Sequence, residues 1–489
     1  MEIWTFQQRN VPNMLNLTNT LINQLNTAGV RYCHWKSNIH LAEGLSGETD
    51  LDFLVRRDQA GVFTEIVNNL GFKLLRSECW KNFPSVVDFL GLDAESGKIL
   101  HLHVYYKLIL GKSMRKEYHI PCEDILLEGD QQLYGVRIPF PEAELLIHII
   151  RMAVKRKLFS IHSAAKHILR RSKQADVLYE LRWLVKRSDL SKFSRLIEKF
   201  GLKASDCEAL FSIVRDPSNV SPNLLKKVKR SMTQYRRFKI FEGTLLWINR
   251  TVLSMLAHMR HNIRKQIVSG GATIAIVGPD GAGKTTVCDV LIKRLGWKLW
   301  VKKFYLGSNQ PTLHSRFVRF LVIPMLVPWR LLPRVRLARL LKYLAQGIIE
   351  ISYASDRLSR LRKGFRLASN GCIVIFDRFP IVNVADQPFL WEEKDELENH
   401  YLIRCITKKL KNLYSKIPKP DVLIHLSLPA ELALARKPNS NPDLISAKEA
   451  RLHSFSSKEG FERNLLRIDA SCSLDIVISQ VMGNIWRRL

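Results

Sequence analysis

Gly278-Pro279-Asp280-Gly281-Ala282-Gly283-Lys284-Thr285 fits the pattern G-x-x-x-x-G-K-[ST] at every defined position. It follows an apolar run, Ala272-Thr273-Ile274-Ala275-Ile276-Val277, and opens a stretch in which Val287, Val290 and Leu291 recur at helical spacing. The pattern needs strand, glycine-rich loop and helix in this order, because loop N–H groups and the helix N-terminus must face one phosphate. Gly278, Asp280, Gly281, Gly283, Lys284, Thr285 and Thr286 are therefore the expected ATP-binding residues. Lys284 is suited to reach the β- and γ-phosphates, and Thr285 to hold Mg²⁺.

Ser269-Gly270-Gly271, just before that strand, reads as a hinge. Short apolar runs at 272–277, 301–306, 372–376, 421–427 and 465–468 alternate with helical stretches, the signature of a doubly wound parallel sheet. Ligands of such sheets sit at the C-terminal ends of the strands. Ile373-Val374-Ile375-Phe376 ends in Asp377-Arg378. Asp377 is expected beside the phosphate loop as a Mg²⁺ or acceptor ligand and Arg378 as a phosphate ligand, with a structural ion pair as the alternative. Arg436-Lys437-Pro438 opens a polar Asn/Ser/Pro-rich segment, read either as a lid carrying positive charge over the phosphates or as a plain surface loop.

The 489 residues, 46 % of them hydrophobic, suffice for several packed cores. The expected organisation is an α/β multidomain chain: 1–140 with mixed strand and helix patterns, 141–268 as a basic helical region and linker, and 269–489 as the P-loop domain. Asp93-Ala94-Glu95-Ser96-Gly97 reads as a hairpin turn between apolar runs. Pro141-Glu142-Ala143-Glu144 opens the helical region, with acids near the positive helix end. The eight cysteines lack C-x-x-C spacing, which argues against a disulfide framework and a thiolate zinc site. No secretory leader pattern and no apolar run near ~20 residues is visible, so a cytoplasmic protein without a spanning helix is expected.

The formal net charge is +31, and it is local. Residues 141–268 carry 27 Lys/Arg against 10 Asp/Glu, and residues 290–349 carry 12 Lys/Arg and no acid. So one-signed a field attracts phosphates of nucleotides, nucleic acid or anionic lipid. Within 299–344 the basic residues alternate with Phe317, Phe320, Leu321, Ile323, Met325, Leu326, Trp329 and Leu331. That mixture reads either as a helical cover on the P-loop domain or as an interfacial segment for an anionic membrane. No helix-turn-helix, zinc or aromatic RNA-binding motif appears, so nucleic acid is not an expected partner.

Residues 270–489 resemble the thymidylate kinases of the nucleoside-monophosphate kinase group. The matching pieces are 278–286, Tyr353-Ala354-Ser355-Asp356-Arg357, Asp377-Arg378-Phe379 and Arg436. The resemblance implies an acceptor-sugar contact for Asp280, an acceptor-phosphate contact for Arg357 and Arg378, and a metal or acceptor role for Asp377. It places Arg436 on the transferred phosphoryl group and Arg467-Ile468-Asp469-Ala470-Ser471 near the adenine. Lys284, Asp377, Arg378 and Arg436 are thus the expected catalytic residues. Two departures leave the acceptor open. Tyr305-Leu306-Gly307-Ser308-Asn309-Gln310-Pro311 stands where the family has Arg-Glu-Pro-Gly-Gly, and Leu426-Ser427 stands where many members have Leu-Asp.

Near the N-terminus, Asp50 and Asp52 flank one residue of an expected strand and so share a face. Paired carboxylates of this kind can chelate Mg²⁺. With the upstream Lys36-Ser37, this stretch is similar to the nucleotidyltransferase superfamily that includes DNA polymerase beta, whose pattern is Gly-Ser, a spacer and Asp-x-Asp. The resemblance implies an α+β nucleotidyltransferase-like fold for 1–140 and a third metal ligand on a neighbouring strand. Ile99-Leu100-His101-Leu102-His103-Val104 is the expected position, and His103 joins Asp50 and Asp52 as metal residues, with structural histidines as the alternative. The complete order resembles bacterial thymidylate-kinase-like P-loop proteins associated with surface-polysaccharide gene clusters.

Three functions are expected in turn. The first is a kinase passing the γ-phosphoryl of ATP, with Mg²⁺, to a nucleoside monophosphate or related small phosphorylated acceptor. The second is a bifunctional nucleotidyltransferase and kinase in surface-polysaccharide or nucleotide-sugar metabolism. The third is an ATP-switched binding protein at a membrane or nucleic acid. Attachment to the inner face of a membrane and a homodimer remain open.

Overall fold

The computed structural model describes residues 14–78, 80–155, 165–200, 202, 204–259, 264–307, 310–331, 334–380, 400–438 and 464–489. The polar segment expected after Pro438 lies outside them. The chain divides into two compact units, Met1–Val268 and Ser269–Leu489, with the break at the Ser269-Gly270-Gly271 hinge.

Unit 1 is built on a mixed sheet of six strands: β1 (Tyr32–His34), β2 (Leu51–Val55), β3 (Lys73–Arg76), β4 (Val86–Leu92), β5 (Ile99–Tyr105) and β10 (Gln266–Ile267), in the order β1-β2-β5-β4-β3-β10. Two small hairpins, β6–β7 (Ile109–Leu110, Tyr118–His119) and β8–β9 (Gln131–Leu133, Val136–Ile138), lie outside it. Only β2 and β5 run parallel, and their register sets Asp52 against His103. β4 and β5 form the hairpin expected around Asp93, whose carboxylate accepts from the Ser96 backbone N–H at 3.0 Å.

Side-chain alternation decides what each face of this sheet carries. Leu51, Phe53 and Val55 of β2, with Leu100, Leu102 and Val104 of β5, enter a core with the helices Asn16–Thr27 and Ala60–Asn69. Leu54 and Tyr105, from the intervening positions, enter a second core, which holds Ile147, Ile149, Leu181, Leu184, Phe193, Leu210 and Val228 of the helical region. Residues 141–268 therefore share a core with the N-terminal sheet, whereas the sequence suggests a separate region. The acids that open its first helix, Pro141–Lys155, are nearly buried and serve other segments. Glu142 accepts from the Asp189 backbone N–H at 2.8 Å, and Glu144 from that of Asn38 at 3.1 Å.

Unit 2 is a five-stranded, wholly parallel sheet: β11 (Ala272–Val277), β12 (Val301–Tyr305), β13 (Ile373–Asp377), β14 (Val422–Ser427) and β15 (Leu465–Asp469), in the order β12-β13-β11-β14-β15. These are the five apolar runs expected from the sequence. All six residues of β11 are buried, as a central parallel strand requires. The chain leaves β11 to one side and later returns to its other side at β14. The switch point, where such sheets bind ligands, is thus the C-terminal end of β11.

Phe376 anchors this unit's core. It is fully buried among the rings of Phe304, Phe365 and Phe379, with centroids 5.7–6.1 Å away. The long helix Arg336–Ser369 meets it at Gly364. A Cβ there would stand 2.5 Å from Phe376 Cζ. Alanine gains about 1 kcal/mol in helix propensity over glycine, while overpacking a core costs about 1–3 kcal/mol. Gly364→Ala is accordingly expected to lower the thermal unfolding midpoint. A raised midpoint would contradict this packing.

Candidate functional site

The loop after β11 closes tightly over the strand ends. A Cβ on Gly278 would lie 2.5 Å from the Leu426 carbonyl oxygen, and one on Gly281 (φ 89°) 2.8 Å from that of Ala433. Only glycine lets the loop pass this close to β14 and the helix Ala430–Arg436. Gly283 ends the turn at φ 79° and starts the helix Lys284–Leu295, so Thr285 and Thr286 occupy its first turn. A helix N-terminus with its unpaired N–H groups favours an anion there.

Lys284 is 7 % exposed, and its ammonium curls back into the loop. It donates to the carbonyls of Gly278 at 3.1 Å and Pro279 at 2.6 Å, and Nζ lies 3.5 Å from Asp280 Oδ1. Thr285 Oγ1 donates to Asp377 Oδ2 at 3.4 Å. Asp377 is 1 % exposed, and its Oδ1 has no hydrogen-bond partner among the described residues. The pairing of Ile276 with Asp377 across β11 and β13 sets this carboxylate at the loop.

Lys303, which sequence reasoning did not single out, adds a cation. Its Nζ is 2.8 Å from Asp289 Oδ1 and 3.4 Å from Asp377 Oδ2. Desolvation pulls the Lys303 pKa down, but the hydrogen bond to Asp289 and the neighbouring negative groups outweigh it and hold it above its ordinary value. The signal lay in strand spacing: Lys303 and Tyr305 share a face of β12, and Tyr305 pairs with Asp377.

The remaining expected residues gather less closely. Arg378 takes a left-handed backbone (φ 62°) and lays its guanidinium 5.4 Å from the Tyr305 ring centroid. A non-glycine residue in that region is strained, a condition that clusters at functional sites. Arg436 ends the helix whose Ala433 touches Gly281, and donates to the Ala470 carbonyl at 3.0 Å. The end of the late strand is thereby tied to the helix Ala430–Arg436. Arg357 is engaged otherwise, donating to the Leu306 carbonyl at 3.0 Å and to the Tyr414 hydroxyl.

Unit 1 gathers a second set of charged groups on the sheet face turned to the helical region. Asp52 Oδ1 lies 2.6 Å from Lys36 Nζ and 3.0 Å from His103 Nδ1. Asp50 Oδ1 is 2.9 Å from His101 Nδ1. On the far side of the histidines, Asp88 Oδ1 is 3.1 Å from His101 Nε2 and 2.5 Å from Lys265 Nζ. Burial alone would raise the Asp52 carboxyl, but Lys36 and His103 hold it well below the usual range. His101 and Lys265 do the same for Asp88. Burial lowers His103.

This departs from the metal set expected of Asp50, Asp52 and His103. The two aspartates and the histidines do share a face, but the Lys36 ammonium stands against Asp52 and the His101 ring against Asp50. Among the described residues no group of three or more His, Cys, Asp or Glu side chains could hold a metal ion. Asp88 escaped sequence reasoning although a lone acid in the apolar run Val86-Val87-Asp88-Phe89-Leu90 was its signal.

No protein-family model matches the chain. The uncharacterized ATP-binding protein YghR of Escherichia coli K12 is 26% identical over 218 residues, which span 42% of this chain and 84% of that protein. Its counterpart in Escherichia coli O6:H1 matches equally. Among solved structures, deoxyadenosine kinase from M. mycoides with bound dATP aligns at 16% identity and a TM-score of 0.29, covering 44% of this chain and 98% of that chain. Unit 2 joins a wholly parallel five-stranded sheet to a glycine-rich phosphate-loop motif at the C-terminal end of β11. Among the described residues no helix is long and apolar enough to cross a membrane.

Proposed function

We propose that unit 2 is an ATP-dependent phosphotransferase acting on a small phosphorylated acceptor, a nucleoside monophosphate or a relative of one. The observation that carries this reading is the convergence at the C-terminal end of β11. There the glycine loop, the Lys284 ammonium and the Thr285–Asp377 contact meet within one turn of helix. The ATP binding named for the Escherichia coli relative agrees with it.

Mg²⁺ fits the same residues. The unpartnered, buried Asp377 Oδ1 and the adjacent Thr285 hydroxyl are the hard oxygen donors that this ion prefers. Bound there, Mg²⁺ would neutralise phosphate charge as it builds up on transfer. Lys284 would exchange its two carbonyl partners for β- and γ-phosphate oxygens, a stronger, charge-assisted pairing. The N–H groups of the loop and of the first helical turn would orient the same phosphates without reorganising. Arg436, at the end of the helix Ala430–Arg436, and Arg378, after β13, are the cations that would meet the transferred phosphoryl group and the acceptor phosphate. Nucleotidyl transfer by Asp50 and Asp52 is not proposed, because Lys36 and His101 already engage those carboxylates.

Lys284→Ala and Asp377→Asn are each expected to lower ATP turnover about 100-fold or more against a panel of nucleoside monophosphates and sugar phosphates, the scale of losing one preorganised charge stabiliser. Wild-type turnover that both variants leave intact would overturn the reading.

A second reading, attachment of unit 2 to an anionic membrane, rests on the helix Leu313–Val322. Asp356 pins one side of it, accepting from the Thr312 backbone N–H at 3.0 Å and from the Ser315 hydroxyl at 2.7 Å. Ser315 and Val322 are therefore buried, and the opposite stripe faces solvent, with Leu313, Phe317, Phe320 and Leu321 57–82% exposed. Arg316 and Arg319 flank that stripe, within a region that contains no acid. An apolar face bordered by cations is complementary to an anionic lipid surface, where each Lys or Arg adds about 1 kcal/mol. Full-length protein is expected to co-sediment with phosphatidylglycerol vesicles and not with phosphatidylcholine vesicles, and Phe317→Asp/Phe320→Asp to abolish it. Equal binding to both vesicle types, or a dimer in light scattering that the double variant dissociates, would refute membrane docking by this face.

A further inference from the structure

Beyond the phosphate loop, we propose that unit 1 carries a second anion site, formed by Lys36, Lys116, Arg151 and Lys155, which binds a phosphate-bearing small molecule without a divalent cation. Two buried rings organise it. Trp35 and Tyr105 meet edge to face with centroids 5.0 Å apart. Lys36 Nζ lies 5.1 Å from the Trp35 centroid and 5.7 Å from that of Tyr105. Lys116 Nζ is 5.6 Å from the Tyr105 centroid, and the Arg151 guanidinium 5.4 Å from that of Trp35. Lys155 follows Arg151 by one turn of the same helix and so shares its side.

These cations outnumber their anions. Lys36 pairs with Asp52. Among the described residues Arg151 pairs only with Glu180, at 4.0 Å, and Glu180 already lies 3.2 Å from His148 Nδ1. Arg151 Nε and Nη1 have no hydrogen-bond partner among the described residues. Neither Lys116 nor Lys155 forms an ion pair among them. The acid next in sequence, Glu117, turns away to accept from the Lys112 backbone N–H at 3.2 Å. Lys116 also holds a left-handed backbone, φ 46°, costly for any residue with a Cβ. Like charges confined together are unfavourable unless an anion joins them, and phosphate oxygens match lysine and arginine donors.

The lysines register this crowding. Desolvation, with Lys36 and Arg151 close by and Asp52 and Asp88 acting in opposition, lowers Lys116 to about 8. Lys155 is exposed to solvent along its chain, yet the protein around its ammonium, with Arg151, Lys36 and Lys116 nearby and Asp52 opposing them, lowers it to about 7. An arriving phosphate favours the charged form of both. Binding should therefore take up protons between these two values. A divalent cation has no part in this, since Lys36 and Lys265 already stand against Asp52 and Asp88.

The test uses full-length protein carrying Lys284→Ala, which silences the phosphate loop, in EDTA. Inorganic pyrophosphate and ADP are titrated separately by calorimetry in two buffers of different ionisation enthalpy. The site predicts saturable binding with proton uptake, weakened about tenfold or more by Arg151→Ala and by Lys155→Gln, the loss of one hydrogen bond to a charged group. A stronger response to ADP marks a nucleotide as the carrier of the phosphate, and a stronger response to pyrophosphate marks a free anion. Lys155→Gln changes an exposed side chain, so an unchanged melting temperature separates lost binding from lost folding. Binding that requires Mg²⁺, occurs without proton uptake, or persists unaltered in both variants would overturn the assignment. Because Lys284→Ala is the background throughout, either result stands apart from the fate of the phosphotransfer reading.

Discussion

The Thr285–Asp377 contact joins two parts of unit 2 that are far apart in sequence, the phosphate loop after β11 and the end of β13. It exists because β11 and β13 are parallel neighbours in a register that pairs Ile276 with Asp377. That register is held in turn by Phe376, one residue earlier, whose ring is fully buried on the side away from the loop. Strand alternation thus turns a core requirement into a functional one: burying Phe376 leaves Asp377 facing the phosphate site. The glycines complete the arrangement, since any side chain at Gly278 or Gly281 would collide with backbone at Leu426 or Ala433.

Unit 1 uses the same alternation to a different end. Leu51, Phe53 and Val55 go into one core, so Asp52 must face the other side, where His103 meets it from β5. The resulting face would suit a metal only if its carboxylates were free. Lys36 and Lys265 instead neutralise them, while Lys116, Arg151 and Lys155 leave positive charge unbalanced beside them. On the two proposals, the units would handle phosphate in opposite ways. In unit 2 one oxygen of the buried Asp377 carboxylate has no hydrogen-bond partner among the described residues, and in unit 1 Lys116 and Lys155 form no ion pair among them.

Much of unit 2 was legible in the sequence because its cues are local. The five buried strands are continuous apolar runs, and the phosphate loop is a contiguous motif whose residues act within one turn. Asp377 was legible for a related reason, as a charge ending an apolar strand. Lys303 was not, since its role depends on a neighbour across the sheet. In unit 1 the Asp93 hairpin and the shared face of His101 and His103 followed from local pattern. The third carboxylate, Asp88, and the partners Lys265, Lys116 and Arg151 come from β4, the residue before β10, a loop and a helix, and only the tertiary fold brings them together. The acids at Glu142 and Glu144 suggested a helix-terminus role, but tertiary contacts to Asp189 and Asn38 claimed them. Arg357 was similarly drawn to the Leu306 carbonyl.

The basic surplus falls in three places: a cover helix with its apolar stripe turned outward, a cluster in unit 1 where cations outnumber the acids that pair with them among the described residues, and the helical region that supplies Arg151 and Lys155 to it. The central claim, that the strand ends of unit 2 transfer phosphate from ATP, is tested most directly by mass spectrometry of the small molecules retained by full-length protein before and after incubation with ATP and Mg²⁺. The account predicts a retained molecule that gains the mass of one phosphoryl group as ATP is converted to ADP. ATP converted to ADP with the phosphate appearing only as the free inorganic ion, and every retained molecule unchanged, would contradict it.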